Sequence, residues 1–499
     1  MSDSSRLPHR LAVALVFVAA LLCCLPAADA PFTFDEHAGI EDNRVVHPGA
    51  SFTEALRYRY SPDQARPVFF SSLLLDADLW GLKPRAFRLT GFFIHLACGA
   101  ILYLLLRRPH GTATVARTAP AAPAALAGTA LFLLHPLQSE SVLYIWGRSE
   151  ILSTLFGLLA ILLALAADDR KPAPGTGRRY PLWAGAVACM ALALASKEEA
   201  VAIPVIFYIW WRWAEGRPAR PGILRAAVLG LPVVLFLLWR GIALGEVGRQ
   251  VYARSVTENV LGQSVVTLRM LRLFFLPFSQ SIDHPAEVPG LVLGTLAIAA
   301  CVFMIGWAIY AARTPADIAA PEGAAAPIAA GVLVAAAGTA LYWIVPLPDL
   351  MCERRAYLPL VGAALAMSGA LRYVHRRAHL AVIALVLLLA PAMAARARVW
   401  SDPNRLWGEA ARLAPQKARP LINLGVMAAE SGDRGRALDL FDQAIRLEPR
   451  NAEALFNRGK LHRDAGRHAH AVADLRAAIS AGPGMVKARI NLAIAWMDV

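Results

Sequence analysis

Four short stretches carry side chains that can exchange protons or bind anions. The first is Phe34-Asp35-Glu36-His37, followed by Glu41-Asp42-Asn43. The second runs from His135 to Glu150 and holds Glu140, Arg148 and Glu150. The third is Ser196-Lys197-Glu198-Glu199. The fourth runs from Asp349 to Tyr357 and holds Glu353, Arg354 and Arg355. A positioned carboxylate takes or gives a proton, and a positioned cation stabilises negative charge. If the stretches converge, they can seat an anionic lipid headgroup beside an acid/base group. Each also has a plainer reading. Asp35-Glu36 can open a solvated loop, and 135–150 can be a hairpin tied by ion pairs. Lys197 can snorkel at an interface, and Glu353-Arg354 can pin the end of a span. His135-Pro136 reads as a turn before it reads as a metal ligand.

The elements that must position these groups are apolar. The chain has 499 residues, 57% hydrophobic and 17% charged, against about 25% charged in an ordinary soluble domain. This excludes a disordered chain and argues against a single soluble globule. Apolar runs near bilayer length fall at 11–28, 86–106, 122–138, 151–167, 181–196, 199–213, 223–239, 289–312, 324–345, 356–371 and 378–394. That predicts about eleven spans. A twelfth run, 260–276, carries Arg269 and Arg272 among leucines and phenylalanines, the pattern of a helix lying at the interface.

Arginine bias orients the spans. Arg6 and Arg10 put the start of the chain in the cytoplasm, with Arg107, Arg108, Arg117, Arg170, Lys171, Arg178, Arg179, Arg212, Arg217, Arg220, Arg225, Arg313, Arg372, Arg376 and Arg377 in inside loops. The four charged stretches then share the outer side, with 31–85 as a first external loop. Residues 1–30 also fit a signal peptide ending at Ala28-Asp29-Ala30. The formal charge of +14 belongs to cytoplasmic loops, so no nucleic-acid partner is expected. Six cysteines form no C-x-x-C pattern, which argues against a zinc site or disulfide framework. The twelve tryptophans, Trp210, Trp211 and Trp213 among them, read as interface belts.

The tail differs. In residues 396–499, 28 of 104 are charged, against 58 of the other 395. This predicts a membrane domain at 1–395 and a soluble domain at 396–499. The tail repeats every 34 residues. Pro415, Pro449 and Pro483 keep that spacing, as do Asn423, Asn457 and Asn491. Gly432 recurs as Gly466, Ala410 as Ala444 and Ala478, and Trp407, Phe441 and Leu475 share one register. This is the tetratricopeptide pattern. It gives a partial unit at 401–417, repeats at 418–451 and 452–485, and a partial unit at 486–499. A concave repeat surface suits a peptide or protein partner.

In this order, ahead of these repeats, the motifs resemble the transmembrane-and-tetratricopeptide-containing protein O-mannosyltransferases and their bacterial relatives. Phe32-Thr33-Phe34-Asp35-Glu36 resembles their F-x-x-D-D, with Glu36 in place of the second aspartate. Arg66-Pro67 resembles the step into span two. His135 to Val142, then Arg148 and Glu150, resembles the H-P-x-x-x-E-x-V hairpin. Lys197-Glu198, Ser281-Ile282-Asp283-His284 and Glu353-Arg354-Arg355-Ala356-Tyr357-Leu358-Pro359 complete the series. The array here is shorter than in many members.

The resemblance implies an all-α fold: a GT-C-like bundle of about eleven spans followed by a short α-solenoid. It implies transfer of a hexose, expected to be mannose, from a polyprenyl-phosphate donor to a protein Ser or Thr hydroxyl outside the cytoplasm. Asp35 would be the base, supported by Glu36. Arg148, Lys197 and Arg354 would contact donor phosphate, with Glu140, Glu150, Glu198 and Glu353 supporting them. The partners would be membrane lipid, the lipid-linked donor and a protein acceptor held by the repeats, in a bacterial inner membrane with the tail external. The sequence requires no cofactor, shows no metal-ligand cluster, and leaves a carboxylate-bound divalent ion open. Two alternatives stand: a noncatalytic membrane scaffold, and a related enzyme acting on a glycan or lipid acceptor.

Overall fold

The computed structural model describes residues 3–61, 64–108, 121–169, 179–244, 254–285, 288–313, 325–372 and 378–497. Arg117, Arg170, Lys171, Arg178, Arg376 and Arg377, used above for orientation, lie outside the described residues. The chain divides into two compact units: Met1–Phe278 with Val288–Ser401, and Ser279–Glu287 with Asp402–Val499.

Among the described residues the first unit is built of helices and one two-stranded antiparallel ribbon, Arg59–Ser61 with Gln64–Ala65. Its helices are α1 (Asp3–Cys24), α2 (Phe52–Arg57), α3 (Pro67–Trp80), α4 (Pro84–Leu106), α5 (Ala121–Leu134), α6 (Ser139–Leu143), α7 (Arg148–Asp169) and α8 (Arg179–Ser196). There follow α9 (Ile203–Ile209), α10 (Ala219–Leu244), α11 (Val256–Phe275), α12 (Leu291–Arg313), α13 (Ala325–Ile344), α14 (Pro359–Arg372) and α15 (Ala378–Trp400). The expected boundary at residue 395 lies inside α15, and the division between units comes after that helix ends.

Seven described segments are long and apolar enough to cross a membrane: His9–Ala27, Pro84–Leu106, Ile145–Asp169, Ala219–Gly241, Leu291–Arg313, Ala325–Ile344 and Ala378–Trp400. Three more of the expected runs form shorter apolar helices, Ala122–Leu134, Tyr180–Ser196 and Pro359–Arg372. Polar turns at His135, at Lys197 and at Glu353-Arg354 cut them short. The expected span at 199–213 is broken into a 3-10 turn (Glu198–Ala202), α9 and a π turn (Trp210–Ala214). Trp210 and Trp211 are buried. They are therefore not a lipid-facing belt: Trp211 donates its indole N–H to Pro218 O at 2.8 Å, and Arg217 and Arg225 stack on its ring.

Glycines bring helices together as membrane packing favours. A Cβ on Gly331 of α13 would lie 2.4 Å from Gly362 O of α14, so these backbones touch. Gly128 brings α5 as close to Ala364 O. Residues 124–154 are buried without interruption. The segment between α5 and α7 is thus no solvated turn. Its irregular backbone is covered by protein, the condition for such backbone near membrane depth. The stretch 31–85, expected as an external loop, holds α3, which buries Phe69, Phe70, Leu73, Leu74 and Asp76. Arg88 near the start of α4 and Arg108 just beyond its end are separated by about 30 Å at 1.5 Å per residue. Arg108 pairs with Asp169 and Glu215. The candidate residues gather at the Arg88 end.

The second unit is a helical array: α16 (Pro403–Leu413), α17 (Ala418–Glu430), α18 (Arg434–Leu447), α19 (Ala452–Asp464), α20 (His468–Ala481) and α21 (Val486–Met497). Gly432 and Gly466 take φ of +85° and +71° at the turns within each repeat, a conformation glycine adopts without strain. Phe441 packs against Gly425, where a Cβ would sit 2.6 Å from its ring. Leu475 fills the equivalent place beside Gly459. This is the packing the 34-residue period predicts. The nonapeptide Ser279–Glu287 joins this unit, with Asp283 paired to Lys417 and Arg419.

Candidate active site

The acidic loop after α1 is gripped by three consecutive residues of the buried hairpin. Tyr144 Oη donates to Asp35 Oδ2 at 3.1 Å. Ile145 N donates to Glu36 Oε1 at 2.7 Å. Trp146 lies over Gly39, where any Cβ would collide with the indole at 2.0 Å. Phe34, just before the pair, has φ of 55°, strained for a residue with a Cβ and often found at functional sites. The turn sends the two neighbouring carboxylates into different surroundings.

Glu36 is fully buried. Besides Ile145 it accepts from Thr33 N at 2.9 Å, Thr33 Oγ1 at 3.4 Å and Arg88 Nη2 at 3.1 Å. Burial pushes its carboxyl above the usual range against the pull of Arg88 and the backbone N–H groups. Arg88 also donates to Ala30 O and Pro31 O. This pair locks the loop onto α4. Asp35 is only partly buried.

The hairpin folds tightly on itself: a Cβ on Gly147 would sit 2.5 Å from Ser141 O. Glu140 and Glu150 thereby come to one cation. Arg354 Nη1 donates to Glu140, its backbone N–H donates to Glu140 Oε2 at 3.0 Å, and its Nε lies 3.3 Å from Glu150 Oε1. Lys197 donates to the same Glu150 oxygen and reaches Glu199 at 3.4 Å. Burial raises the Glu140 carboxyl against Arg354, and the buried Glu353 adds to the rise. The same Arg354 charge acts on the Tyr144 phenol.

Glu198 turns to a separate edge. Arg66 Nη2 and Arg240 Nη1 lie 3.4 and 3.3 Å from its two oxygens. Burial opposes its ionisation, yet Arg66, its own backbone N–H, Arg240 and Lys197 together hold its carboxyl below the usual range. Two cations face one carboxylate here. The side chains of Arg240 and Arg354 are 33% and 23% exposed, while Arg148 is at 1%. Arg148 pairs with Asp76 at 2.6 Å and donates to Ser72 O at 3.2 Å and Phe87 O at 2.5 Å. Its guanidinium is engaged within the protein, tying α7 to α3 and α4.

The structure thus brings Glu140, Glu150, Lys197 and Arg354 into one network, ties Asp35 to the same hairpin through Tyr144, pairs Glu198 with Arg66 and Arg240, and turns Glu36 and Arg148 to other partners. Sequence reasoning assigned no role to Tyr144, Asp76, Arg88, Tyr342 or Arg240, and named Glu199 only as a member of its charged stretch. Tyr342 donates to Glu199 at 2.6 Å. Arg66 was visible only as a motif step. Among the described residues, no group of three His, Cys, Asp or Glu is placed to hold a metal ion.

A family model described as tetratricopeptide repeat matches residues 422–486. The chain is 22% identical over 215 residues to protein O-mannosyl-transferase Tmtc3 of Drosophila melanogaster, which covers 39% of this chain and 23% of the relative. It is 24% identical over 181 residues to protein O-mannosyl-transferase TMTC3 of Homo sapiens, 34% of this chain and 18% of the relative. It is 22% identical over 277 residues to protein O-mannosyl-transferase TMTC2 of Homo sapiens, 51% of this chain and 31% of the relative. The chain is similar to protein O-mannosyl-transferases. The resemblance read from its motifs holds, and the repeat tail is a tetratricopeptide array. The matches span under a third of each relative's length.

Proposed function

We propose that this chain is a membrane glycosyltransferase that moves a hexose, mannose by likeness to its relatives, from a polyprenyl-phosphate donor to a protein Ser or Thr hydroxyl. One observation carries the reading: the hairpin that grips Asp35 also holds Arg354, through Glu140 and Glu150. In this reading one hairpin holds both the base, Asp35, and a cation, Arg354. Asp35 takes the acceptor's hydroxyl proton as the hydroxyl oxygen bonds to the sugar's anomeric carbon. The bond from that carbon to the phosphate oxygen breaks, and phosphate leaves with the electron pair. Cations lower the barrier by stabilising that charge. Arg354 and Lys197 remain candidates, though both already serve carboxylates. Arg240, the most exposed of these arginines, shares Glu198 with Arg66 and is a further seat for phosphate. Glu36 and Arg148 hold the loop and hairpin in place. The lipid tail lies along the apolar helices, and the repeats present the acceptor.

In this reading the site and the repeats face away from the cytoplasm, in a bacterial inner membrane. Reporter fusions at Arg107 and Ala395 should then report opposite sides, and a cytoplasmic signal from Ala395 would overturn the orientation. The activity is tested with purified full-length protein, polyprenyl-phosphate mannose and Ser/Thr peptides, alongside intact-mass analysis of envelope proteins with and without the gene. Hexose added to peptide supports the reading. Transfer to glycan or lipid alone moves the acceptor class. No transfer, with an unchanged envelope glycoproteome, favours a scaffold.

A further inference from the structure

Tyr144 has a hydroxyl that its surroundings oblige to find a partner. The residue is 1% exposed, its ring tilted against Trp400 with centroids 5.8 Å apart. It sits in extended backbone between α6 and the 3-10 turn Ile145–Gly147, with φ −91° and ψ 122°. A buried tyrosine hydroxyl needs a hydrogen-bond partner, and here the partner is Asp35 Oδ2 at 3.1 Å. The bond is not required to hold loop and hairpin together. Ile145 on Glu36 and Trp146 on Gly39 already do that from the next two positions. What the phenol adds falls on the Asp35 carboxylate itself.

We infer that Tyr144 is a positioning residue for the Asp35 base, fixing the carboxylate's orientation and favouring its ionised form by donating a hydrogen bond. The inference rests on the base role proposed above for Asp35. A donor to the charged form of a carboxylate lowers its pKa. Charged groups at this junction include Glu36, paired with Arg88, and Arg354, paired with Glu140 and Glu150. Both charges act on the Tyr144 phenol. Tyr144 is the neutral donor between them. Its own hydroxyl stays protonated, because burial and the charges of Asp35 and Glu36 push the phenol well above its ordinary value.

The test compares pH profiles of kcat/KM for the full-length enzyme, Tyr144→Phe and a fluorotyrosine placed at 144, with Asp35→Asn as control. Phenylalanine keeps the ring and its packing on Trp400. Tyr144→Phe should move the acid limb up by about one pH unit, the loss of one hydrogen bond to a charged group. It should lower kcat about 10-fold while donor KM changes less. Fluorotyrosine, a stronger donor of the same shape, should move the limb down. A limb that stays put in both variants overturns the inference, as does a kcat loss matched only by a lower unfolding temperature. Should Asp35→Asn keep full activity, the base role fails on its own and the inference fails with it. An inactive Asp35→Asn beside an unmoved limb keeps the base and removes only Tyr144.

Discussion

Lys417 donates to Asp283 at 2.5 Å across 134 residues of chain. Arg419 approaches the same oxygen at 3.5 Å, and Ser281 Oγ accepts from Asp283 N at 3.1 Å. Asp283 is 3% exposed. A short piece of chain from between α11 and α12 therefore belongs to the fold of the repeat unit. Asp283→Asn and Lys417→Gln should each lower amide-exchange protection of α17 in the full-length protein. Their double-mutant cycle should give a coupling of about 1–3 kcal/mol, as for residues sharing a network. Independent, additive effects would reduce the pair to an incidental surface contact.

A second prediction separates a structural arginine from a ligand-facing one. Arg148 and Asp76 are buried together, and Asp76 also accepts from Thr90 at 2.8 Å. Arg148→Ala leaves the Asp76 charge without its partner. It should cost about 3–5 kcal/mol of stability while the surviving protein keeps its donor KM. Arg240→Gln should do the reverse: a near-normal unfolding temperature and a donor KM raised about 10-fold, or roughly 1.4 kcal/mol. A stable Arg148→Ala with weakened donor use would return that residue to the phosphate role.

Apolar runs and the 34-residue period depend on local pattern, so helices, repeats and the Phe441 and Leu475 registers were legible. Asp76 was not, because α3 is a short apolar helix in a stretch rich in loop signals. Tyr144 was not, because an aromatic in an apolar run looks like any interface residue. The nonapeptide around Asp283 has too few residues to show a period, and its partners lie more than 130 positions away. Arg148 and Arg354 look alike in sequence. Only burial separates the arginine enclosed with Asp76 from the one left 23% exposed.

His135 supplies a pH prediction. The apolar helix α5 ends at Leu134, and His135 turns the chain. Its Nδ1 accepts from Leu137 N at 3.1 Å and its Nε2 donates to Phe274 O at 2.8 Å. The bond from Leu137 needs the neutral ring, and burial lowers its pKa from 6.5 to about 4. Between those values the unfolded chain takes up a proton that the folded one refuses. Stability from this group is complete above about pH 6.5 and falls as pH drops toward 4, by up to about 3 kcal/mol. His135→Asn keeps a side-chain oxygen for the Leu137 N–H and does not titrate. It should start less stable at pH 7 but lose less on acidification. Equal losses in thermal unfolding between pH 7 and 4.5 would show that His135 is not the titrating group.

Asp35 and Glu36 are adjacent carboxylates that should fail in opposite ways. Asp35 is partly buried and accepts from the Tyr144 hydroxyl, and Asp35→Asn keeps size and most packing while removing the charge. Transfer should fall about 100-fold or more, typical of a lost general base, with insertion and unfolding temperature close to those of the parent. Glu36 is fully buried, and its two oxygens accept from Thr33, Arg88 and Ile145. Glu36→Gln sets an amide N–H₂ against some of these donors and leaves the buried Arg88 without its counter-charge. The expected result is a destabilised protein, by about 3–5 kcal/mol, whose folded fraction still transfers sugar. The measurement is paired: thermal unfolding in detergent, and transfer per folded molecule. If Glu36→Gln folds normally and is inactive, Glu36 does chemistry and the lock on α4 is secondary. If Asp35→Asn transfers sugar at full rate, the base is elsewhere, with Glu140 and Glu198 the next carboxylates to replace.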